Sequence, residues 1–335
     1  KEYDDSLAKK QPWYSIKKLS GDLTLLGFNV LIISSLKLLP PNFRGRVIKL
    51  FGFKDIFRFG TPSYRLIYLF SCPIITMAKF YSLGVNTIIK NWNYLYRIFA
   101  VSLVPKWWMI RIFERASTVL VVSDTLENYF CNVSNLYKYI PFSPNNWDTD
   151  RKLSQEDRRV DKKVTLGYFG PPYLTRHFDS VVDFFVWLKK NSTEHKSKLV
   201  TRIDKDSLNQ VENKYLSKLC LDTSSIVSGF LSRDELLHEL LDIDVMILPF
   251  RVVMEELPIV VMESLELGIP VVTTRDSGIH VITQGRKDIL ILDEFSKDNY
   301  QEVLDFVDSY VCEDFDSILM KIKAINKIAL GIICD

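Results

Sequence analysis

The chain has 335 residues, of which 47% are hydrophobic and 25% are charged. This composition excludes an intrinsically disordered protein, and the length favours two domains over one. The net charge of +2 hides an asymmetry, since residues 1–150 contain 19 Lys and Arg against 10 Asp and Glu, whereas residues 151–335 contain 24 against 31. A basic half either meets an anionic partner, such as membrane lipid, a lipid diphosphate or nucleic acid, or is basic merely for solvation.

The cysteine pattern and the apolar runs indicate where the protein resides. Five scattered cysteines without a CxxC pair favour a reduced, cytoplasmic protein and argue against a zinc site. The sequence shows no secretory signal pattern. Its longest apolar run, residues 66–78, is too short to span a bilayer. We therefore predict a cytoplasmic protein that is either soluble or peripheral at the cytoplasmic membrane face.

In the first half, helical and strand patterns alternate. A helix is predicted over residues 14–26, with Gly27 suited to its end. Short continuous apolar runs, typical of strands covered on both faces, predict strands at residues 29–34, 65–70, 85–90, 118–123 and 137–140. The polar, turn-rich segment 141–162 is typical of a linker. We therefore predict an amino-terminal domain over residues 1–150 and a carboxyl-terminal domain over residues 151–335.

The second half repeats the strand–helix order more regularly. Strands are predicted at residues 163–169, 197–203, 225–230, 243–249, 269–274 and 288–292, and helices at 178–190, 207–220, 232–241, 258–267 and 298–310. Strands separated by single helices pair in parallel through right-handed crossovers. The predicted fold class is therefore α/β, with two doubly wound Rossmann-like domains that face each other across a cleft.

Two glutamates stand eight positions apart near the end of the strand predicted at residues 243–249. Glu255 follows that strand in a loop, and Glu263 lies on the next helix, which starts near Ile259 and Val260. This order places both acids at the carboxyl edge of a parallel sheet, beside a helix amino terminus that favours anions. A single glutamate in such a place is more often a solvated surface charge than a ligand-binding group. The functional interpretation therefore depends on the position of both acids at the same edge of the sheet.

Six segments in chain order resemble the carboxyl-terminal domain of family 4, "glycosyl transferases group 1", enzymes with the GT-B fold. They are a strand with a glycine turn (Leu166–Gly170), a basic segment at 175–177 with Arg176, a strand and loop at 227–236 with Gly229 and Phe230, the strand at 243–249, the Glu-x7-Glu pair Glu255 and Glu263, and the block Gly268–Val272. The region 116–141 resembles the family's last amino-domain segment. The amino half before it shows weaker similarity.

The resemblance implies a retaining, metal-independent glycosyltransferase that moves a sugar from a nucleotide-diphosphate donor to a glycan or lipid-linked acceptor. It implies that Glu255 contacts the transferred sugar, that Glu263 binds the ribose, and that Arg176 neutralises the departing diphosphate. Nucleotide-site residues implied in the same way are Gly170, Gly229, Phe230, Ile259 and Val260. The nucleotide sugar is then a co-substrate, and no further cofactor and no metal are expected.

Three departures from the family pattern keep other functions open. Pro258 has no N–H where the family offers backbone donors between the two acids. Lys90 or Asn91 stands where many relatives carry a histidine, and the family's first strand with its glycine-rich loop is not evident. These departures favour, as the alternative, a non-catalytic relative that binds a nucleotide sugar or a partner protein. A sugar-nucleotide epimerase is a third possibility.

Two segments of the amino half, residues 37–58 and 104–115, mix basic residues with aromatic ones. Such segments suit the surface of an anionic membrane. The alternative is that Trp107 and Trp108 are core residues of an ordinary helix. No nucleic-acid-binding module is recognisable, so no nucleic-acid partner is predicted.

Overall fold

The structure of the protein is a computed structural model. It describes residues 13–27, 31–34, 46–49, 67–70, 106–114, 116–122, 124–142, 144, 163–172, 176–201, 218, 226–228, 231, 233–251 and 258–334.

The described part of the amino half consists of short parallel sheets and three helices. The elements are α1 (Trp13–Leu25), β1 (Leu31–Ser34), β2 (Arg46–Lys49), β3 (Ile67–Phe70), α2 (Lys106–Phe113), β4 (Thr118–Val121), α3 (Asp124–Tyr129) and β5 (Leu136–Lys138). Strands β1 and β2 pair with each other, and β3, β4 and β5 form a second sheet. Every pair is parallel.

These elements confirm most of the predictions for this half. The helix predicted at residues 14–26 is α1, and Gly27 follows it with a φ of 89°, in the left-handed region that ends many helices. The strands predicted at 29–34, 65–70, 118–123 and 137–140 are β1, β3, β4 and β5. The strand predicted at 85–90 and most of the linker at 141–162 lie outside the described residues. Strand β2, within the basic segment 37–58, was not predicted.

The carboxyl half contains one six-stranded sheet. Its elements are β6 (Val164–Phe169), α4 (Phe178–Asn191), β7 (His195–Thr201), β8 (Ile226–Ser228), α5 (Arg233–Leu241), β9 (Val245–Leu248), α6 (Ile259–Glu266), β10 (Val271–Thr274), α7 (His280–Thr283), β11 (Ile289–Leu292), α8 (Tyr300–Ser309) and α9 (Asp316–Cys334), with 3-10 turns at Arg275–Ser277 and Lys297–Asn299. All six predicted strands and four of the five predicted helices are confirmed. Of the helix predicted at 207–220, only residue 218 is described, and it is helical.

The strand order of this sheet explains where a ligand would bind. The strands lie in the order β11-β10-β9-β6-β7-β8, and all neighbours are parallel. The first strand of the half, β6, therefore lies beside the fourth, β9, with Leu166 opposite Val245. Connections leave β6 and β9 towards strands on opposite sides, and this reversal creates the crevice in which doubly wound sheets bind their ligands.

Helix α9 extends beyond the last predicted element and belongs to two cores. Its first half contributes Ile318 and Ile322 to the core of the six-stranded sheet. Its second half contributes Ala329 and Ile333 to a cluster that contains residues of α1, β4 and the end of β5. None of the described helices, α9 included, is long and apolar enough to cross a membrane.

Asn326 lies between these two halves of α9 and fixes the helix to the chain after β5. Its buried side-chain oxygen accepts a hydrogen bond from the backbone N–H of Ile140 at 2.7 Å, and its Nδ2 donates to the Ile140 carbonyl at 2.8 Å. A single side chain therefore satisfies both backbone groups of a residue that lies 186 positions earlier.

Candidate functional site

Gly170 directly follows β6 at the carboxyl edge of the six-stranded sheet. Its φ of 140° is one that side-chain-bearing residues rarely adopt, and its N–H donates to the carbonyl of Val200 at 3.1 Å. A Cβ at this position would lie 3.0 Å from Nη1 of Arg176. The glycine therefore lets the chain turn and leaves room for the guanidinium group.

Arg176 connects the loop after β6 to the segment after β9. Its guanidinium carbon lies 5.6 Å from the ring centroid of Phe250, which follows β9. This contact is within the range of a cation–π interaction. No carboxylate of the described residues forms an ion pair with Arg176. The half-buried cation thus lies at the strand reversal between β6 and β9 without a charge partner from the described part of the chain.

A second cation at the same edge, Arg251, is neutralised. Its Nη2 donates to Oδ2 of Asp179 at 3.0 Å and to Oδ1 at 3.1 Å, and it lies 3.2 Å from Nδ1 of His177. Asp179 stands in the first turn of α4, where its charge would otherwise oppose an incoming anion. The ion pair with Arg251 removes that opposition and fixes the start of α4 to the segment after β9.

His177 precedes α4 in a left-handed conformation, with φ 48° and ψ 28°. Its side chain is buried, and Nδ1 lies 3.2 Å from Oγ of Ser180. Few residues other than glycine adopt the left-handed region, although histidine does so more readily than most. The contacts with Ser180 and Arg251 hold this turn in place, and they indicate that His177 positions the start of the helix.

Aromatic packing holds the middle of α4, and a hydrogen bond from Tyr300 reaches its first turn. Phe184 and Trp187 of α4 contact the ring of Tyr300, with centroid distances of 4.9 and 5.3 Å. The Tyr300 hydroxyl donates to the carbonyl of Ser180 at 3.3 Å. Burial raises the pKa of Tyr300 above its usual range, and the nearby carboxylates of Asp183 and Asp179 raise it further. The raised pKa keeps the hydroxyl protonated, and its bond to the helix intact, to a higher pH than an unshifted tyrosine would allow.

Two threonines at the end of β10 fix the segment that carries Phe250. Oγ1 of Thr274 accepts from the Phe250 N–H at 2.8 Å and donates to the Phe250 carbonyl at 2.7 Å. Oγ1 of Thr273 donates to the carbonyl of Leu248 at 2.8 Å. These bonds hold the aromatic ring in place beneath Arg176.

Helix α6 presents Glu263 on its accessible face. Ile259 and Glu263, one turn apart, are half-buried, while the other side chains of the helix are buried. Val260 is 8% exposed and belongs to the core, so a contact with a ligand would fall to its backbone N–H. Pro258 precedes the helix, and its carbonyl accepts from Val261 N–H at 2.9 Å. The accessible stripe therefore begins at the helix amino terminus and contains Glu263.

Residues 151–307 match the model of the family described as glycosyl transferases group 1. This stretch includes the whole edge of the sheet described above. The chain carries a group 1 glycosyltransferase domain.

Solved structures extend the similarity to nearly the whole chain of this glycosyltransferase. WaaG, a glycosyltransferase involved in lipopolysaccharide biosynthesis, is 13% identical with a TM-score of 0.51, over 95% of this chain and 91% of that chain. Sucrose-phosphate synthase from Thermosynechococcus elongatus is 15% identical with a TM-score of 0.56, over 94% and 90%. These likenesses show the fold, which is the predicted α/β arrangement of GT-B type. No curated protein is similar enough in sequence to count as a relative.

The described structure brings together only part of the predicted site of the glycosyltransferase. It places Gly170 and Arg176 side by side and Glu263 on an accessible helix face, whereas Glu255, Gly229 and Phe230 lie outside the described residues. Sequence reasoning did not single out Phe250 and Arg251. Their position directly after a predicted buried strand is a signal that could have found them, because strand ends form the binding edge of such sheets.

Metal ligands are not grouped in the part of the chain that the structure describes. There, no cluster of three or more His, Cys, Asp or Glu side chains could hold a metal ion. Of the two arginines described at this edge, Arg251 is paired with Asp179, and Arg176 has no ion pair with a described carboxylate.

Proposed function

We propose that this glycosyltransferase is a retaining, metal-independent enzyme that transfers a sugar from a nucleotide-diphosphate donor to a glycan or lipid-linked acceptor. In this proposal the donor binds the domain at residues 151–335, and the acceptor approaches the domain at residues 1–150. The observation that carries the proposal is the position of Arg176, which lies at the strand reversal, beside the turn into α4, without an ion pair from the described carboxylates.

The chemistry of sugar transfer explains why such a cation is needed. Negative charge develops on the diphosphate as its bond to the sugar breaks, and a fixed guanidinium group together with a helix amino terminus stabilises that charge. In a retaining reaction assisted by the departing phosphate, the acceptor hydroxyl attacks the anomeric carbon from the face on which the phosphate leaves. No protein nucleophile takes part, and we assign the neutralising role to Arg176 and α4 instead of a metal ion.

The two glutamates would then hold hydroxyl groups. A carboxylate accepts two hydrogen bonds from neighbouring hydroxyls, and charged acceptors form the stronger bonds. We assign the ribose to Glu263, which lies on the accessible stripe of α6, and the transferred sugar to Glu255. Gly229 and Phe230 would adjoin the nucleotide base.

Substitution of each glutamate tests these roles separately. Glu263→Gln is expected to weaken nucleoside-diphosphate binding about 10- to 100-fold, because hydrogen bonds to charged groups contribute about 1.5–3 kcal/mol. Glu255→Ala is expected to lower turnover more than donor binding. Calorimetric titration with UDP, GDP and ADP measures the first effect, and a donor-hydrolysis assay measures the second. Glu294→Ala, at an exposed position, is the control. Unchanged binding and turnover in both variants would refute the assignment.

The alternative is a non-catalytic relative, and Pro258 is the observation that favours it. This residue offers no N–H at the start of α6, where a backbone donor could otherwise meet the sugar or phosphate. The same assays distinguish the two functions. Donor binding without hydrolysis or transfer, over all nucleotide sugars and with a lipid extract as acceptor, supports the binding protein and contradicts the enzyme.

Helix α2 supports a location at the cytoplasmic face of an anionic membrane. Trp107 is 59% exposed, while Met109 and Phe113 on the same helix are buried. The alternative that Trp107 is a core residue of an ordinary helix is therefore wrong. The Trp108 side chain lies outside the described residues. The Arg111 guanidinium carbon lies 5.2 Å from the Trp107 ring centroid. An exposed tryptophan beside basic side chains is typical of helices that lie in a membrane interface.

Vesicle sedimentation tests this location. The protein is expected to pellet with vesicles of anionic phospholipid and not with neutral vesicles, since basic side chains near such surfaces contribute about 1 kcal/mol each. Trp107→Ala should reduce the pelleted fraction, and Val281→Ala, at another exposed apolar position, should not. Equal pelleting of both variants and the wild type would remove α2 from the proposed surface.

A further inference from the structure

Thr201, the last residue of β7, carries a buried hydroxyl that has no hydrogen-bond partner among the described residues. The residue is 2% exposed, and its Oγ1 finds no donor or acceptor there. The buried hydroxyls of Thr273 and Thr274, at the end of another strand of the same sheet, both donate to backbone carbonyls. Buried polar groups are paired in most folded proteins, and an exception calls for an explanation such as a ligand.

The strand register places this hydroxyl beside the loop that holds Arg176. Tyr168 pairs with Leu199 and Phe169 with Val200, and Gly170 and Thr201 follow these pairs at the edge of the sheet. Neighbours in register on parallel strands point to the same face, and the strands lie about 4.8 Å apart. Thr201 therefore shares the face of Leu199 and Tyr168. A Cβ of Gly170 would lie on that face too, 3.7 Å from the Tyr168 hydroxyl and 3.0 Å from Nη1 of Arg176.

The charges around this face favour an anion. Arg176 has no ion pair with a described carboxylate, and Arg251 neutralises Asp179 in the first turn of α4. The amino terminus of α4, a helix of 14 residues, adds partial positive charge to the same loop. A threonine hydroxyl at such a place donates its proton to an acceptor, and phosphate oxygens are acceptors that carry the matching charge.

We propose that Thr201 is a phosphate-binding residue of the donor site, whose Oγ1–H donates to an oxygen of the diphosphate that Arg176 holds. This inference rests on the proposed function. It adds a contact that remains unmade until the donor binds. It also accounts for a hydroxyl at a buried position where valine would have the same shape.

Replacement of Thr201 by valine tests the inference through two opposite changes. Thr201→Val removes the unpaired hydroxyl, so the melting temperature of the ligand-free protein is expected to rise. The same change removes the contact with phosphate, so the Kd for UDP, GDP or ADP, whichever the wild type binds, is expected to rise about tenfold, which corresponds to 1.4 kcal/mol. Thr201→Ser keeps the hydroxyl and should bind the diphosphate nearly as tightly as the wild type.

Two controls show whether Thr201→Val weakens the contact with phosphate specifically. Thr283→Val removes a buried hydroxyl that donates to the Ile279 carbonyl at 2.9 Å, and it should lower the melting temperature and leave the Kd unchanged. Binding of the corresponding nucleoside should be the same in Thr201→Val and the wild type, since the nucleoside has no phosphate. An equal loss for nucleoside and diphosphate would overturn the assignment to phosphate.

The remaining outcomes also decide the matter. A Thr201→Val protein that binds the diphosphate as tightly as the wild type overturns the inference and leaves the proposed function intact. A lower melting temperature, or failure to fold, means that the hydroxyl has a structural partner and overturns it as well. A wild type that binds no nucleoside diphosphate overturns both the inference and the proposed function.

Discussion

Arg176→Ala is expected to lower kcat/KM for sugar transfer by about 100- to 1,000-fold, the usual cost of removing one group that stabilises charge in a transition state. Arg176 lies beside the start of α4, stacked on Phe250 and without an ion pair from the described carboxylates. The expected cost in stability is small, since the contact with Phe250 contributes only about 0.5–1 kcal/mol at accessible sites. Steady-state kinetics and thermal melting measure the two effects.

Two further arginine variants make this expectation specific. Arg176→Lys keeps the charge and loses the planar, stacked geometry, so an intermediate loss of kcat/KM is expected. Arg275→Ala removes an exposed cation at the end of β10 that is paired with the exposed Asp293, and should leave kcat/KM nearly unchanged. Full activity in Arg176→Ala, or a loss of the same size in Arg275→Ala, would show that Arg176 has no special role.

Asn326→Leu is expected to destabilise the folded protein severely. The substitution keeps a side chain of similar size but removes both Asn326 bonds: the buried N–H of Ile140 loses its partner, and the Ile140 carbonyl keeps only the bond from Phe142 N–H at 2.9 Å. The unsatisfied N–H costs about 1–3 kcal/mol and the second lost bond about 0.5–1.5 kcal/mol, so the free energy of unfolding should fall by about 1.5–4.5 kcal/mol in total. Urea denaturation followed by circular dichroism measures this change.

An exposed asparagine offers a matched comparison. Asn191 also donates from its side chain to a backbone carbonyl, that of Trp187 at 2.7 Å, but it is exposed to water. Asn191→Leu should therefore change the free energy of unfolding by no more than about 0.5 kcal/mol. Similar losses in both variants would mean that the Asn326 bonds are not the source of the effect.

The fold was predictable wherever strands are short apolar runs between turns. Five of the six strands of the carboxyl half satisfy this condition, and so does β4 in the amino half, whereas β7 begins with polar residues that include Lys196 and Lys198. Strand β2 does not satisfy it either, because two of its four residues, Arg46 and Lys49, are charged. Helix α9 could have been predicted, since Ile318, Ile322, Ile325 and Ala329 recur at helical spacing.

The candidate site was predictable to a smaller degree. Arg176 and Glu263 could be named because they lie in segments that resemble a known family in order and spacing. Arg251 could not be assigned a role in this way, because its role depends on contacts with Asp179, which lies 72 positions earlier. The state of the Thr201 hydroxyl depends on which groups surround it in the folded chain. Sequence patterns report residue types and periodicity, and neither shows whether a buried hydroxyl has a hydrogen-bond partner.

Helix α9 couples the stability of the two halves of the protein. Because the same helix completes the hydrophobic clusters on both sides of Asn326, its detachment exposes apolar surface in each of them. The two halves are therefore thermodynamically coupled: loss of one core withdraws support from the other. Heating should consequently melt them in one cooperative transition, although multidomain proteins often unfold in separate steps.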